Sequence, residues 1–202
     1  MVTLGEARER VRRRLEDAAA TALWPDALLD DGLSAELDAY SQWLPAQRSA
    51  TVIAAAGDTT LALPAEAVEV RRVLDPNGAG VPPSPAGVGL LAEGDGRAEQ
   101  GWERWDAALR LRRPLAAGTY TLLYTAVRVM PSGDAEPFPV RDGDVSLVVA
   151  GAAVYALETR TIQEWKRGAL PDRYETALRV LKAAYDAAWD QRRRRVRVWA
   201  VD

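Results

Sequence analysis

The residues able to do chemistry in this chain are few in kind. Among 202 residues there is no Cys and no His, and the only Lys are Lys166 and Lys182. That removes the thiolate nucleophile, the imidazole base, Cys/His zinc sites and all disulfides. Carboxylates and guanidinium groups remain. Glu99, Glu103 and Asp106 flank Trp102 and Trp105, a composition found where a carboxylate pair works beside rings that stack on a sugar. The same five residues also suit a domain rim or an interface, and Trp102 and Trp105 are read as candidate contacts between subunits, since Trp is enriched in hot spots. Asp30-Asp31, and Asp142 with Asp144, have the charge to hold a hard cation. Each lies at a helix start or on an exposed helix face, where capping and solvated charge account for them. Gly87-Val88-Gly89 and Gly94-Asp95-Gly96 lack the spacing and the following Lys-Ser/Thr of a phosphate loop. The sequence therefore leads us to expect no catalytic residue, no cofactor, no metal and no enzyme, because no nucleophile, base and orienter come together.

The strongest local signal is basic. Arg192, Arg193, Arg194, Arg195 and Arg197 crowd the end of the chain and are interleaved with or followed by Val196, Val198, Trp199 and Val201. Three readings stay open. The run is a solvated helix end helped by the helix dipole, a phosphate-contacting patch with steep salt dependence, or the root of an arm that adds to a partner as a strand or fills its groove. The apolar residues favour the arm over the phosphate patch. Net charge is −3, with five Arg against nine acidic residues in 1–47 and twelve basic against nine acidic in 141–202. Overall acidity argues against a general nucleic-acid binder.

The elements that must position these groups follow from periodicity. Thr3 with Glu6 fits a capping box, and Leu4, Ala7, Val11, Leu15, Ala18 and Ala22 make a helical stripe predicting a helix from Thr3 to Thr21. Trp24-Pro25 breaks it and opens a second helix with Leu29, Leu33, Leu37, Tyr40 and Leu44 on one face, ending near Pro45. The pattern then changes to short strands: Ser49–Ala55, Thr59–Leu63, Val68–Val73, a weak one at Gly87–Leu91, and a hairpin of Trp105–Arg112 with Thr119–Val129. Residues 131–139 read as a linker. Asp142 or Asp144 caps a third helix that is apolar almost all round from Val145 to Leu157 and ends at Gly168. Pro171-Asp172 opens a fourth, with Tyr174, Leu178, Leu181, Tyr185 and Trp189 along its seam. Trp24, Trp43, Trp165 and Trp189 fall near helix ends. The expected class is α+β: a bundle-like helical domain of 1–47 and 139–195, interrupted by a small antiparallel β-sandwich or barrel at 48–138, with an extended C-terminal arm at 196–202. Met1 to Leu15 is charged, so no secretory leader is expected. No apolar run reaches the ~18 residues of a spanning helix, so no membrane partner is expected.

Four features in this order resemble the head–tail connector (adaptor) proteins of tailed bacteriophages: Leu28-Leu29-Asp30-Asp31-Gly32-Leu33; Ser49–Pro64 followed by Ala67-Val68-Glu69-Val70-Arg71-Arg72-Val73; Leu111-Arg112-Arg113-Pro114 with Gly118-Thr119-Tyr120-Thr121-Leu122-Leu123-Tyr124; and the Ala-rich helix Val148–Glu158 with a last helix. The resemblance covers nearly the whole chain. It implies a structural virion protein at the head–tail junction, assembled in the host cytoplasm as a ring, commonly of twelve copies, beneath the portal protein. Such a ring extends the DNA channel and offers a surface to a tail or stopper protein, while genomic DNA passes without specific binding. In relatives the C-terminal segment reaches into the portal or a neighbouring copy, which here corresponds to Arg192–Asp202. Two other readings stand beside it: a carbohydrate- or peptide-binding module using the β domain and Trp102/Trp105, and a DNA-binding accessory protein acting through the Arg run.

Overall fold

The structure, a computed structural model, describes residues 1–17, 23–84, 101–168 and 172–199. Among the described residues it is a mixed α+β protein with four helices and two small antiparallel sheets. The chain divides into two compact units, Met1–Trp43 with Arg128–Asp202, and Leu44–Val127. The expected edges at 47/48 and 138/139 are corrected by a few residues at the first and by about ten at the second. Residues 131–139 are not a linker. The Leu4 N–H donates to the Glu136 carbonyl at 3.1 Å and the Phe138 N–H to the Val2 carbonyl at 2.8 Å, and Phe138 is 1% exposed. Burying a Phe ring contributes about 1.5–3 kcal/mol, which with these backbone bonds helps to order a short Pro-rich segment.

In the helical unit, α1 (Leu4–Arg14) begins with the capping box: Thr3 and Glu6 satisfy each other's backbone N–H groups. Leu4, Ala7 and Val11 are buried. The helix stops at Arg14 rather than Thr21. Glu16 adopts φ +54°, and the Asp17 N–H turns back to the Arg12 carbonyl at 3.0 Å, closing a Schellman-type stop. Ala18 to Ala22 lie outside the described residues. A side chain in the left-handed region costs roughly 1 kcal/mol, so Glu16→Gly is expected to stabilise the protein by about that amount, read as a higher denaturation midpoint; an unchanged or lower midpoint would contradict this account of the stop.

Pro25 leads into α2 (Asp26–Trp43), whose Leu29, Leu33, Leu37 and Tyr40 are buried as the spacing predicts. Arg8 grips Asp30 through two bonds of 2.5 and 2.9 Å, and Arg12 reaches Asp26 at 2.5 Å, so α1 and α2 run antiparallel. The Arg12 guanidinium also holds the Asp26 carboxyl below its ordinary range. A single 3-10 turn at Asp142–Asp144 leads into α3 (Val145–Lys166), which is buried nearly all round from Val145 to Leu157 and packs against α1, α2 and α4 (Asp172–Trp199). By length and composition α3 could cross a membrane, but 67% of its apolar window is buried inside the protein, the pattern of a core helix. Gly32 allows α2 and α3 their close approach, since a Cβ there would lie 3.0 Å from the Ala152 carbonyl oxygen.

The expected extended arm is corrected. α4 runs without interruption through Val196, Arg197, Val198 and Trp199, and Ala200 to Asp202 lie outside the described residues. No Gly or Pro occurs from Asp172 to Trp199 to stop the helix. Arg is a good helix former, and each Val costs only a few tenths of a kcal/mol. Three residues of alternation do not outweigh a helix already propagating.

The β unit contains β1 (Ala46–Ala54), β2 (Thr60–Ala62), β3 (Ala67–Leu74), β4 (Gly80–Val81), β5 (Trp102–Trp105), β6 (Ala108–Leu111) and β7 (Gly118–Ala126). One sheet has the order β1-β7-β3-β4 and the other β2-β6-β5. The expected hairpin of Trp105–Arg112 with Thr119–Val129 does not form. β6 pairs with β5 and β2, while β7 pairs with β1 from Ala46↔Ala126 to Ala54↔Gly118 and with β3 on its other edge. A tight turn at Asp106 (φ +54°) and Ala107 divides the first arm, and the Leu115 N–H is taken by the Asp58 carbonyl at 2.7 Å. Leu61, Val73, Leu109, Leu122 and Tyr124 form one hydrophobic cluster drawing on both sheets. Gly87–Leu91 and both Gly-x-Gly triplets lie outside the described residues.

Candidate functional site

The basic run starts in the last turns of α4, and helical spacing puts Tyr185, Trp189, Arg192 and Arg193 on neighbouring positions of one face. Trp189 is buried, with its ring 6.5 Å from both the Tyr185 and Tyr40 rings. From there Arg192 reaches Asp144, its terminal nitrogen 2.8 Å from Oδ2, and the Tyr40 hydroxyl donates to the same oxygen at 2.7 Å. The Asp144 side chain is only 9% exposed. Asp144 was expected as a helix cap; it occupies that position at the start of α3 but makes no cap bond, because its carboxylate turns inward to Tyr40 and Arg192.

Burial first, and the Asp144 carboxylate second, push the Tyr40 phenol up to about 12, so it remains a donor across the physiological range. The Arg128 guanidinium lies 5.2 Å from the Tyr40 ring and donates to the Pro139 carbonyl at 2.8 Å; burial pulls its pKa down. These groups form a fixed network of charge and dipole that anchors the end of α4 to α2 and to the start of α3. Beside it an open cleft of about 510 Å³ is lined by Arg14, Arg141, Ser146, Gln191 and Arg192, among others.

The remaining candidate residues are dispersed in role. Arg193 stacks 4.5 Å over the half-exposed Trp43 and lies 5.6 Å from the Trp189 ring centre. Arg194 is exposed. The side chains of Arg195, Val196, Arg197, Val198 and Trp199, and Val201 as a whole, lie outside what is described. In the β unit Trp102 and Trp105 are three apart on one strand and so point to opposite faces. Trp102 is buried with its indole N–H donating to the Val81 carbonyl at 3.0 Å, which corrects its expected role as an inter-subunit contact: it is a core residue. Trp105 is 57% exposed, with the Arg110 guanidinium 4.4 Å from its ring. The two rings make no shared stacking platform, and Glu99 lies outside the described residues.

A second polar junction joins α2, α3 and α4. The Tyr185 hydroxyl donates to Glu36 at 2.6 Å, and Lys182 pairs with Glu158 at 2.7 Å. Desolvation raises the Glu36 pKa, the Tyr185 bond opposes that, and nearby Glu158 adds to it. A carboxyl whose folded pKa is raised is most favourable to folding below its unfolded pKa, and that advantage is lost as pH rises through the folded value. Glu36→Gln, which keeps an oxygen for Tyr185, is therefore expected to raise the urea midpoint at pH 7 and to lose its advantage as pH falls toward 4. An advantage that persists unchanged at pH 4 would contradict the burial of charge at Glu36.

Tyr40, Asp144 and Arg128 as a network were not apparent from the sequence. Tyr40 stood only as a core position and Asp144 only as a cap, and 104 residues separate the two. No protein-family model matches the chain, and no curated protein matches its sequence.

Proposed function

We propose that this protein is a head-to-tail connector subunit of a tailed bacteriophage, docking as a ring of copies beneath the portal, extending the DNA channel and presenting a surface to a tail or stopper protein. In this reading the four helices act as a bundle-like base and the two sheets as an inserted sandwich. The observation that carries it is the chain order: both ends of the sequence build one helical unit, and a β unit interrupts them. That organisation brings the last helix, with its basic end, into the same body as the first, as a docking base requires. The docking element is the helical end of α4, from Arg192 onward, rather than a strand. Arg192 is engaged by Asp144, and Arg193 by the Trp43 ring and Asp190, which leaves the exposed Arg194 as the first residue of the run open to a partner.

The test is retention of the cognate portal ring by the immobilised protein. The full chain is expected to hold the portal, and both Arg194→Glu and a chain ending at Gln191 are expected to release it. Arg194→Glu leaves the Arg192 anchor intact, so its effect is separable from misfolding. Equal retention by Arg194→Glu and by the shortened chain would remove the role of the helix end; no retention by the full chain would remove the connector assignment. The exposure of Trp105 favours one second reading, a carbohydrate- or peptide-binding module. Saccharide or peptide quenching of Trp fluorescence that disappears in Trp105→Ala would support it.

A further inference from the structure

We propose that the cleft beside the Asp144–Arg192 pair binds a dianionic phosphate group, as inorganic phosphate or as the terminal phosphate of a nucleotide. The cleft lies wholly within the helical unit and, at about 510 Å³, is large enough for that group. Its lining draws cations from three separate elements: Arg14 at the end of α1, Arg141 before the 3-10 turn, and Arg192 on α4. Among the described residues the only carboxylate in the lining is Asp144, and its Oδ2 already accepts from Tyr40 and Arg192. Arg14 and Arg141 are exposed, and neither guanidinium has a hydrogen bond or ion pair among the described residues. The Nε of Arg192 is buried without a partner among them, so this guanidinium also has a donor left over.

Among the described residues of the lining, three guanidinium groups against one carboxylate leave two positive charges uncompensated. A phosphate monoester carries about −1.5 to −2 near neutral pH, and free phosphate somewhat less, in both cases more than the single charge of a carboxylate or a DNA phosphodiester. The planar fork of Arg matches phosphate oxygens in pairs, and Ser146 and Gln191 add neutral donors from the same walls.

The inference uses the helical unit alone and stands apart from the connector reading. Titration calorimetry and thermal midpoints on the full chain test it, with inorganic phosphate, AMP and an unphosphorylated oligonucleotide as probes, against chloride at equal ionic strength. Phosphate is expected to bind and to raise the midpoint, Arg14→Ala and Arg141→Ala each to weaken binding about tenfold, and the double variant to lose the response. The double variant's midpoint without ligand should match the wild type, because neither side chain holds the fold together. AMP binding more tightly than phosphate assigns a nucleotide, and phosphate binding without AMP assigns the free ion; both support the site. No phosphate response beyond chloride, an undiminished response in the double variant, or binding of the oligonucleotide alone would overturn it.

Discussion

Asp144→Ala is expected to lower the unfolding free energy by about 3 kcal/mol, the lower end of what breaking a buried ion pair costs. The carboxylate is nearly inaccessible and holds two donors from distant parts of the chain, Tyr40 and Arg192. Its removal leaves a phenol without its acceptor and a guanidinium, itself only 23% exposed, without a counter-charge. Desolvation of the orphaned partner, more than the lost attraction, sets the size of the effect. Replacing both members, Asp144→Ala with Arg192→Met, should therefore cost less than the single change, since no uncompensated charge remains. Urea denaturation followed by far-UV circular dichroism measures both. A single-variant loss below about 1 kcal/mol, the range of surface pairs, would mean that this network does not anchor the end of α4.

Phe138→Ala should be comparably damaging, at about 3–5 kcal/mol, the range for deleting a buried aromatic ring. The residue sits between Pro137 and Pro139, in a stretch whose composition suggests a connector. In the folded chain its ring is enclosed and its backbone N–H is bonded to Val2. Val129→Ala, nine residues upstream and 73% exposed, is the matched control, with an expected change within about 0.5 kcal/mol. Equal, small effects at both positions would return residues 131–139 to the status of a linker.

The helices were legible where a stripe and its stop signal were both local. Thr3 and Glu6 announce α1, Pro25 announces α2, and Gly168 follows α3, because capping and chain breaking depend on residues a few positions apart. The stop of α1 was missed because its left-handed residue is Glu16, where the usual signal is Gly. The β unit was less legible. Alternation marks a strand and its two faces but does not name the neighbour, so β6 and β7 looked like partners when each pairs elsewhere. The end of α4 was misread because Val196, Val198 and Trp199 have strand-like side chains, while the hydrogen bonds of a growing helix favour continuation.

Of the candidate site, the sequence exposed the arginines but not their assignments. By itself it determined which residues are apolar with period 3.6 or 2, where turns and caps can form, and that chemistry here rests on carboxylates and guanidinium groups. These are properties of neighbours along the chain. Only the tertiary structure decided that Arg192 is held by Asp144 while Arg14 and Arg141 have no ion pair among the described residues, that Trp102 is core and Trp105 surface, and that Phe138 is buried. Each of those outcomes depends on which distant side chain reaches the same point in space, and on how much water that meeting displaces, neither of which any spacing in the sequence encodes.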